Sequence, residues 1–351
     1  MTRVTAPSLR PPTAESAGPG AALPGAAVTG DRPGAGASGP AAAAASRVAP
    51  QSQALVEALD ATLADIGPDT AWLSRLLALR ERAARLATQH TDATLYHLIH
   101  LAGHDARRYS ALHGLLCFVV ARETALALRW EDGVLNSLEL AALTMNAAMR
   151  SVQDELARMD AEPSAPTRAA IARHAERGAA MLRAAGVVDP VWIDVVRLHH
   201  DSSLRERPIG SLTPAQRSAR LLRRVDIFVA KLSCRGKRLP MSPVRAAREA
   251  CLGAGGMPDE IGAALLGGLG LYPPGSTVEL MSGEIGLVVA RGVRANLPTV
   301  AVMLDAEGRR MRPPVLRAAH HRRHAVKGAR PEVPLGDAPA HEWLMTMRTV
   351  T

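Results

Sequence analysis

The chain has 351 residues, enough for two domains plus tails. Its hydrophobic content is 47% but its aromatic content only 3%, so the core has to be built from Ala, Leu and Val, which suits closely packed helices. A formal net charge of +9 points to anionic partners, whether nucleic acid, phosphorylated ligand or acidic lipid, or else to a solvated arginine-rich surface. The three cysteines, Cys117, Cys234 and Cys251, form no Cys-x-x-Cys pair and indicate neither a disulfide framework nor a zinc knuckle. A reducing cytoplasm fits them. No apolar run approaches the roughly 20 residues of a membrane span, and Pro and Gly interrupt every candidate leader after Arg3 and Arg10.

Residues 1–50 are mostly Ala, Pro, Gly and Ser and hold too little large apolar surface to offset ordering entropy, so a disordered tail is expected. Residues 51–92 read as a helical hairpin. Leu55, Leu59, Leu63 and Ile66 recur at helical spacing, Gly67-Pro68 stops that helix, and Leu73, Leu76, Leu77, Leu79 and Leu86 mark a second. The hairpin packs on the main domain or pairs two subunits, giving a homodimer through residues 54–90. Residues 93–270 read as a helical domain. One helix runs from Ser110 to Arg129. Another starts near Asn136-Ser137 and carries Leu138, Ala142, Met145, Met149 and Val152 on one stripe. Pro166-Thr167 opens the next and Gly186 closes it. Helices around Trp192, from Pro214 to Leu232, around Ala246 and after Pro258 complete the set. After Gly270 the texture changes. Two strands between Leu271 and Ala290 flank a Ser282-Gly283 turn, and Thr299–Leu304 reads as a third. A small β module is therefore expected at 271–318, with a basic flexible tail at 319–351. The expected fold class is mostly α: a helical bundle preceded by a helical hairpin and followed by a small β module, with disordered termini.

Two adjacent histidines, His199 and His200, close the run that begins Val191-Trp-Ile-Asp, and Asp226 lies inside an apolar helix pattern. Histidines and a carboxylate on packed helices are the makings of a buried metal site. A carboxylate between Val225 and Ile227 is costly to bury unpaired, and a metal, His200 or Arg223 would partner it. His113 shares a face with Leu112, Leu116 and Val120, and His174 lies near Ile171 and Leu182, so each is either a core histidine or a site residue. Arg205, Arg207, Arg217, Arg220, Arg223 and Arg224 either flank a cleft or form a solvated face. Other motifs fail. The glycines between Gly253 and Gly270 build no phosphate loop, and Ser282 lacks the glycine of a nucleophile elbow. The His320-His321 and Arg322-Arg323 cluster has no interleaved aromatics on which bases would stack, which argues against nucleic acid.

The order of features over 110–275 resembles the HD-GYP branch of the HD phosphohydrolase superfamily. His113, in Tyr109-Ser-Ala-Leu-His, matches the first histidine of the pattern. His174 matches the histidine before x-x-Gly-x-x-x-Leu, here Gly178 and Leu182. His199-His200-Asp201 matches His-His-Glu with a shortened acid, and Asp226 matches the late metal-binding aspartate. Lys231-Leu-Ser-Cys-Arg235 and Arg238 resemble the stretch that follows it. Leu271-Tyr-Pro-Pro-Gly275 and Ser282-Gly-Glu284 resemble a C-terminal module found after many such domains. The resemblance implies an HD-type all-helical bundle, two or three metal ions, and hydrolysis of cyclic di-GMP, a bacterial second messenger.

Two departures alter what is implied. Where the family has Leu-His-Asp-Ile-Gly-Lys, alignment through Ala141-Ala-Leu143 puts Met145 for the histidine, Asn146 for the aspartate and Met149 for the lysine. The aspartate bridges metals, and neither a neutral amide nor a thioether suits a hard Fe, Mn or Mg centre. The loop Ser202–Gly210 also lacks the tyrosine of the family's Gly-Tyr-Pro. The expectation is thus a cytoplasmic bacterial signalling protein, catalytically impaired, that binds cyclic di-GMP or a signalling protein. The alternative is a phosphohydrolase working with a reduced metal set. His174, His199, His200 and Asp226 would hold one divalent ion (Fe, Mn or Zn) with His113 beside them. Arg235, Arg238, Arg205 and Arg207 would contact ligand.

Overall fold

A computed structural model describes residues 47–330, apart from 69–70, 161 and 253–255. The fold is mostly helical, with a small antiparallel sheet on the C-terminal side. Expectations for 1–46 and 331–351, and for Gly253 and Gly255, lie outside the described residues.

Helices α1 (Val48–Ala64) and α2 (Trp72–Gln89) form the expected hairpin, with α1 starting before residue 50. Leu55, Leu59 and Leu63 on α1 and Trp72, Leu76 and Leu79 on α2 are buried in the core they share with the rest of the bundle. The indole N–H of Trp72 donates to the Ala185 carbonyl at 3.1 Å. Arg80 of α2 donates to Glu139 at 2.6 Å, and Arg122 donates to the other oxygen of the same carboxylate, whose side chain is 0% exposed. A buried carboxylate is tolerated only when paired in this way. The hairpin therefore spends its apolar face within its own chain, and a dimer through residues 54–90 would have to use its charged outer face.

Helices α3 (Thr91–His104), α4 (Tyr109–Ala127) and α5 (Asp132–Thr144) follow. The 19-residue α4 is the one described helix long and apolar enough to cross a membrane by length and composition, and 78% of its apolar window is buried. It is the central helix, packed against α1, α3, α5 and others. The stripe expected to run unbroken through Met145 and Met149 is interrupted. After α5 comes a 3-10 turn, Ala147–Met149, and then α6 (Arg150–Arg158). At the break the Thr144 hydroxyl donates back to the Leu140 carbonyl at 2.7 Å and accepts from the Trp192 indole at 2.8 Å. Such back-bonding competes with regular helix continuation.

The helix expected between Pro166 and Gly186 is likewise two, α7 (Ala165–Ala172) and α8 (His174–Ala184). Helices α9 (Pro190–Leu198), α10 (Pro214–Leu232), α11 (Pro243–Cys251) and α12 (Glu260–Leu269) complete the bundle. Their starts follow sequence logic. Asp189 accepts from the backbone N–H groups of Val191 and Trp192, Thr213 and Gln216 close a capping box, and Pro190 and Pro214 stand where no N–H is needed.

The sheet has the order β4-β3-β2-β1-β5. Its strands are β1 (Thr277–Leu280), β2 (Ile285–Ala290), β3 (Thr299–Leu304), β4 (Arg310–Ala318) and β5 (Val326–Ala329). Alternation divides β2 between two cores: Val288 joins Val278, Leu280, Val300 and Val302, whereas Leu287 and Val289 join the main helical core. Gly283, at φ +85°, makes the expected turn. Arg291 ties the sheet to the bundle, donating to Asp92, to Glu123 at 2.8 Å and to the Gly268 carbonyl. The stretch after 318, expected to be a flexible tail, contains β5, which pairs antiparallel with β1 and completes the sheet edge.

Candidate metal centre

Helix ends place the histidines. His174 follows the end of α7, and His199 caps α9, so each has a helix-end carbonyl three residues back within reach. His174 Nδ1 lies 2.6 Å from the Ile171 carbonyl oxygen, and His199 Nδ1 lies 2.6 Å from that of Val196. A carbonyl only accepts, so both Nδ1 atoms carry the proton. In the neutral rings both Nε2 atoms then present lone pairs. These two atoms face one another at 3.1 Å. Two lone pairs at that distance repel unless a cation lies beside both. Bonds of about 2.0–2.1 Å from one ion to two imidazoles leave the nitrogens roughly 3 Å apart. The donor set thus fits a divalent ion.

His200 completes a trio whose ligand atoms lie within 4.8 Å of one another, its ring centroid 4.1 Å from that of His199 and 4.9 Å from that of His174. His199 is fully buried while His200 opens toward solvent. Burial, joined by the neighbouring histidines, pushes the His199 imidazole down to about 3. Burial likewise lowers His174 and His200. Rings held neutral are what metal ligation requires.

Asp226, on α10, sits next to this trio but bonds elsewhere. Its Oδ1 lies 2.8 Å from His113 Nε2 on α4. Neither of the side chains expected to partner it, His200 or Arg223, hydrogen-bonds it; Arg223 instead donates to the His200 carbonyl at 2.6 Å. Burial pushes the Asp226 carboxyl up, but the hydrogen bond from His113 and the polarity of the surrounding imidazoles hold it below the usual carboxylate range. Asp226 is therefore an anion poised between two clusters. The second cluster is His113, Cys117 and Asp226, again within 4.8 Å, with Cys117 Sγ 3.5 Å from His113 Nε2. The expected foursome is thus split: three histidines on one side, Asp226 with His113 on the other.

Met145 and Asn146 lie in the broken corner after α5, both buried. Met145 is in the main core, as the apolar stripe predicts. The Asn146 amide makes no side-chain hydrogen bond to another described residue, and Met149 is half-buried. The corner packs against α8, where Gly178 permits the approach: a Cβ there would stand 3.3 Å from Val196 Cγ1 and 3.7 Å from the Met145 carbonyl oxygen.

The candidate ligand arginines are mostly engaged. Arg235 donates to the Tyr109 hydroxyl at 2.7 Å and covers that ring at 4.6 Å. Tyr109 in turn stacks on His113, centroids 5.7 Å apart. Arg238 donates to the Ala230 carbonyl. Arg220 and Arg224 both clamp Asp259, and Arg217 lies over Trp130. Arg205 and Arg207 are exposed, the latter reaching the Ser211 carbonyl at 3.3 Å. Sequence reasoning missed Tyr109 and Cys117. The i, i+4, i+8 spacing Tyr109-His113-Cys117 was the available signal, since it puts all three on one helical face.

No protein-family model and no solved structure matches the chain. The chain spans 58% of the length of a curated relative that it does match. That relative is a cyclic di-GMP phosphodiesterase of Pseudomonas aeruginosa, to which the chain is similar at 26% identity over 249 residues, or 69% of its own length.

Proposed function

We propose that this chain is a bacterial cytoplasmic signalling protein with an HD-GYP-like domain over residues 93–270, impaired as a phosphodiesterase and acting by binding. Its ligand is cyclic di-GMP or a signalling protein. One divalent ion (Fe, Mn or Zn) held by His174, His199 and His200 would organise the cleft, with Asp226 as the neighbouring anion. The observation that carries the metal assignment is the pair of facing Nε2 atoms 3.1 Å apart, neither able to donate. The similarity to a cyclic di-GMP phosphodiesterase supports the ligand class.

Impairment follows from charge. Hydrolysis of a phosphodiester by a metal pair needs an anion that bridges the ions and an acidified water between them. Asn146 supplies a neutral amide in that position, and Asp226 is already committed to His113. The cleft retains the means to hold a phosphate near a cation, but it lacks the carboxylate around which a nucleophile would be made. The hairpin 51–92 and the β module 271–318, extended here by β5, supply contacts to a partner.

Isothermal titration with cyclic di-GMP, on protein of known metal content, tests the reading. Binding is expected to need the ion and to be lost in His199→Ala. The same preparations are to be assayed for hydrolysis with added Mn or Fe. A second reading, an active phosphohydrolase with a reduced metal set, is favoured by the activity named for the relative. Turnover that His199→Ala abolishes would establish it in place of the first.

A further inference from the structure

Helices α8 and α9 form an antiparallel pair joined by the turn at residues 185–189, so His174 at the start of α8 and His199 at the end of α9 lie at the same end. The opposite, turn end is held by the N-terminal hairpin. Trp72, the first residue of α2, donates its indole N–H at 3.1 Å to the carbonyl of Ala185, which caps α8. Its ring tilts against that of Trp192 in the first turn of α9, centroids 6.3 Å apart, and both side chains are buried. Two bonds to α5 complete the seat. Ser137 donates to Asp189 at 2.6 Å, and the Trp192 indole donates to Thr144 at 2.8 Å. The α8–α9 pair is therefore gripped at its turn and presents its histidines at its tips.

We propose that Trp72 is a positioning residue for the histidine trio, and that the α1–α2 hairpin sets the trio's affinity for its ion through it. The inference rests on the metal reading of His174, His199 and His200. A metal site tolerates misplacement of its ligands by only about 0.5 Å. Helices are stiff, with a rise of about 1.5 Å per residue, so a tilt of a few degrees at the turn moves a tip roughly 16 Å away by close to 1 Å. Trp72 engages both arms at once, since its N–H holds the end of α8 and its ring holds the start of α9. The coupling is reciprocal. A shift of α2 changes the affinity for the ion, and the ion in turn shifts the tryptophan pair.

Zinc titration into metal-free, full-length protein tests this. Uptake is measured by competition with a chromophoric chelator, and the tryptophans are followed by near-ultraviolet circular dichroism. Wild type is expected to take up zinc with a change in the tryptophan signal that saturates alongside it. His199→Gln should lose both. Trp72→Phe keeps an apolar ring but removes the donor, and should raise the zinc Kd about tenfold and lose most of the metal-induced signal. Trp130→Phe, which alters a tryptophan outside the pair, should change neither. If Trp72→Phe folds poorly, wild type labelled with 5-fluorotryptophan decides. The Trp72 fluorine resonance, assigned by elimination against the other three tryptophans, should move on zinc binding. Bound zinc with an unmoved tryptophan signal, or an unchanged Kd in Trp72→Phe, would overturn the positioning role and leave the trio standing. No zinc uptake by wild type would overturn the trio, and the positioning role with it.

Discussion

His174 and His199 face each other through their Nε2 atoms at 3.1 Å, while each Nδ1 is committed to a backbone carbonyl at 2.6 Å. This arrangement stores its own demand for a cation. Adding Zn, Mn or Fe to stripped protein is expected to raise the melting temperature, with about 2.7 kcal/mol of stabilisation when free metal is 100 times Kd. His199→Gln, which removes one imidazole, should reduce that shift to near zero. Differential scanning fluorimetry with and without metal checks this, and an undiminished shift in the variant would refute it.

Stripped protein should lose stability in acid through the same rings. His199 titrates near 3 in the fold against about 6.5 when unfolded, and His174 and His200 are lowered in the same direction. The unfolded chain therefore binds more protons below 6.5, and stability must fall as pH drops from about 6.5 toward 3. Asp226, also lowered, adds a further loss below about 3.8, because its stabilisation is present only while the unfolded carboxyl is ionised. Urea midpoints measured at pH 7.0, 5.5 and 4.5, roughly spanning that window, should decline. His199→Gln should flatten the curve above about pH 4.

Glu139 is a fully buried carboxylate held by Arg80 and Arg122. Glu139→Ala leaves two half-buried guanidiniums without their anion and should destabilise the protein by about 3–5 kcal/mol. Arg80→Ala should cost less, because Arg122 still satisfies the acid, but it should loosen the α1–α2 hairpin. Equilibrium denaturation gives the first number, and faster proteolysis between α1 and α2 reports the second. Equal stability of the two variants would contradict the clamp.

Arg291 joins the sheet to the helices through Asp92, Glu123 and the Gly268 carbonyl. Arg291→Ala should remove the bridge from Asp92, Glu123 and the Gly268 carbonyl and free the module from the bundle. Hydrogen exchange should then quicken in β1 and β2 while α9 and α10 stay protected. Unchanged exchange in the strands would show that the shared apolar core around Leu287 and Val289 suffices.

Adding an anion tests the proposed impairment directly. On the proposed reading, Met145→His with Asn146→Asp supplies the cleft with an imidazole and a carboxylate from the corner after α5. Metal stoichiometry should rise, and cyclic di-GMP hydrolysis should appear or increase at least tenfold over the parent. A double variant that binds extra metal without turnover would mean that the altered loop after His200, not the missing carboxylate, blocks the reaction.

Periodicity alone located the hairpin, the long α4, the Pro214-to-Leu232 helix and strand β3, because burial of one face imposes a repeat that needs no knowledge of the partner. The helix caps at Asp189 and Thr213 are equally local chemistry, a side chain on the next turn's backbone. The two helix breaks, at Met145-Asn146 and at Arg173, were not legible in this way. Each depends on bonds to distant groups or on a side chain competing with the backbone, as at Thr144 and Trp192. Composition also hid β5, a short and polar edge strand that exists only because β1 offers an unpaired edge. The site followed this division. The identities His174, His199, His200 and Asp226 stood out along the chain, yet Asp226 and His113 meet across 113 residues of separation. Which nitrogen keeps its proton, and that Cys117 lies beside His113 and Asp226, were decided only when packing brought α4, α8, α9 and α10 together.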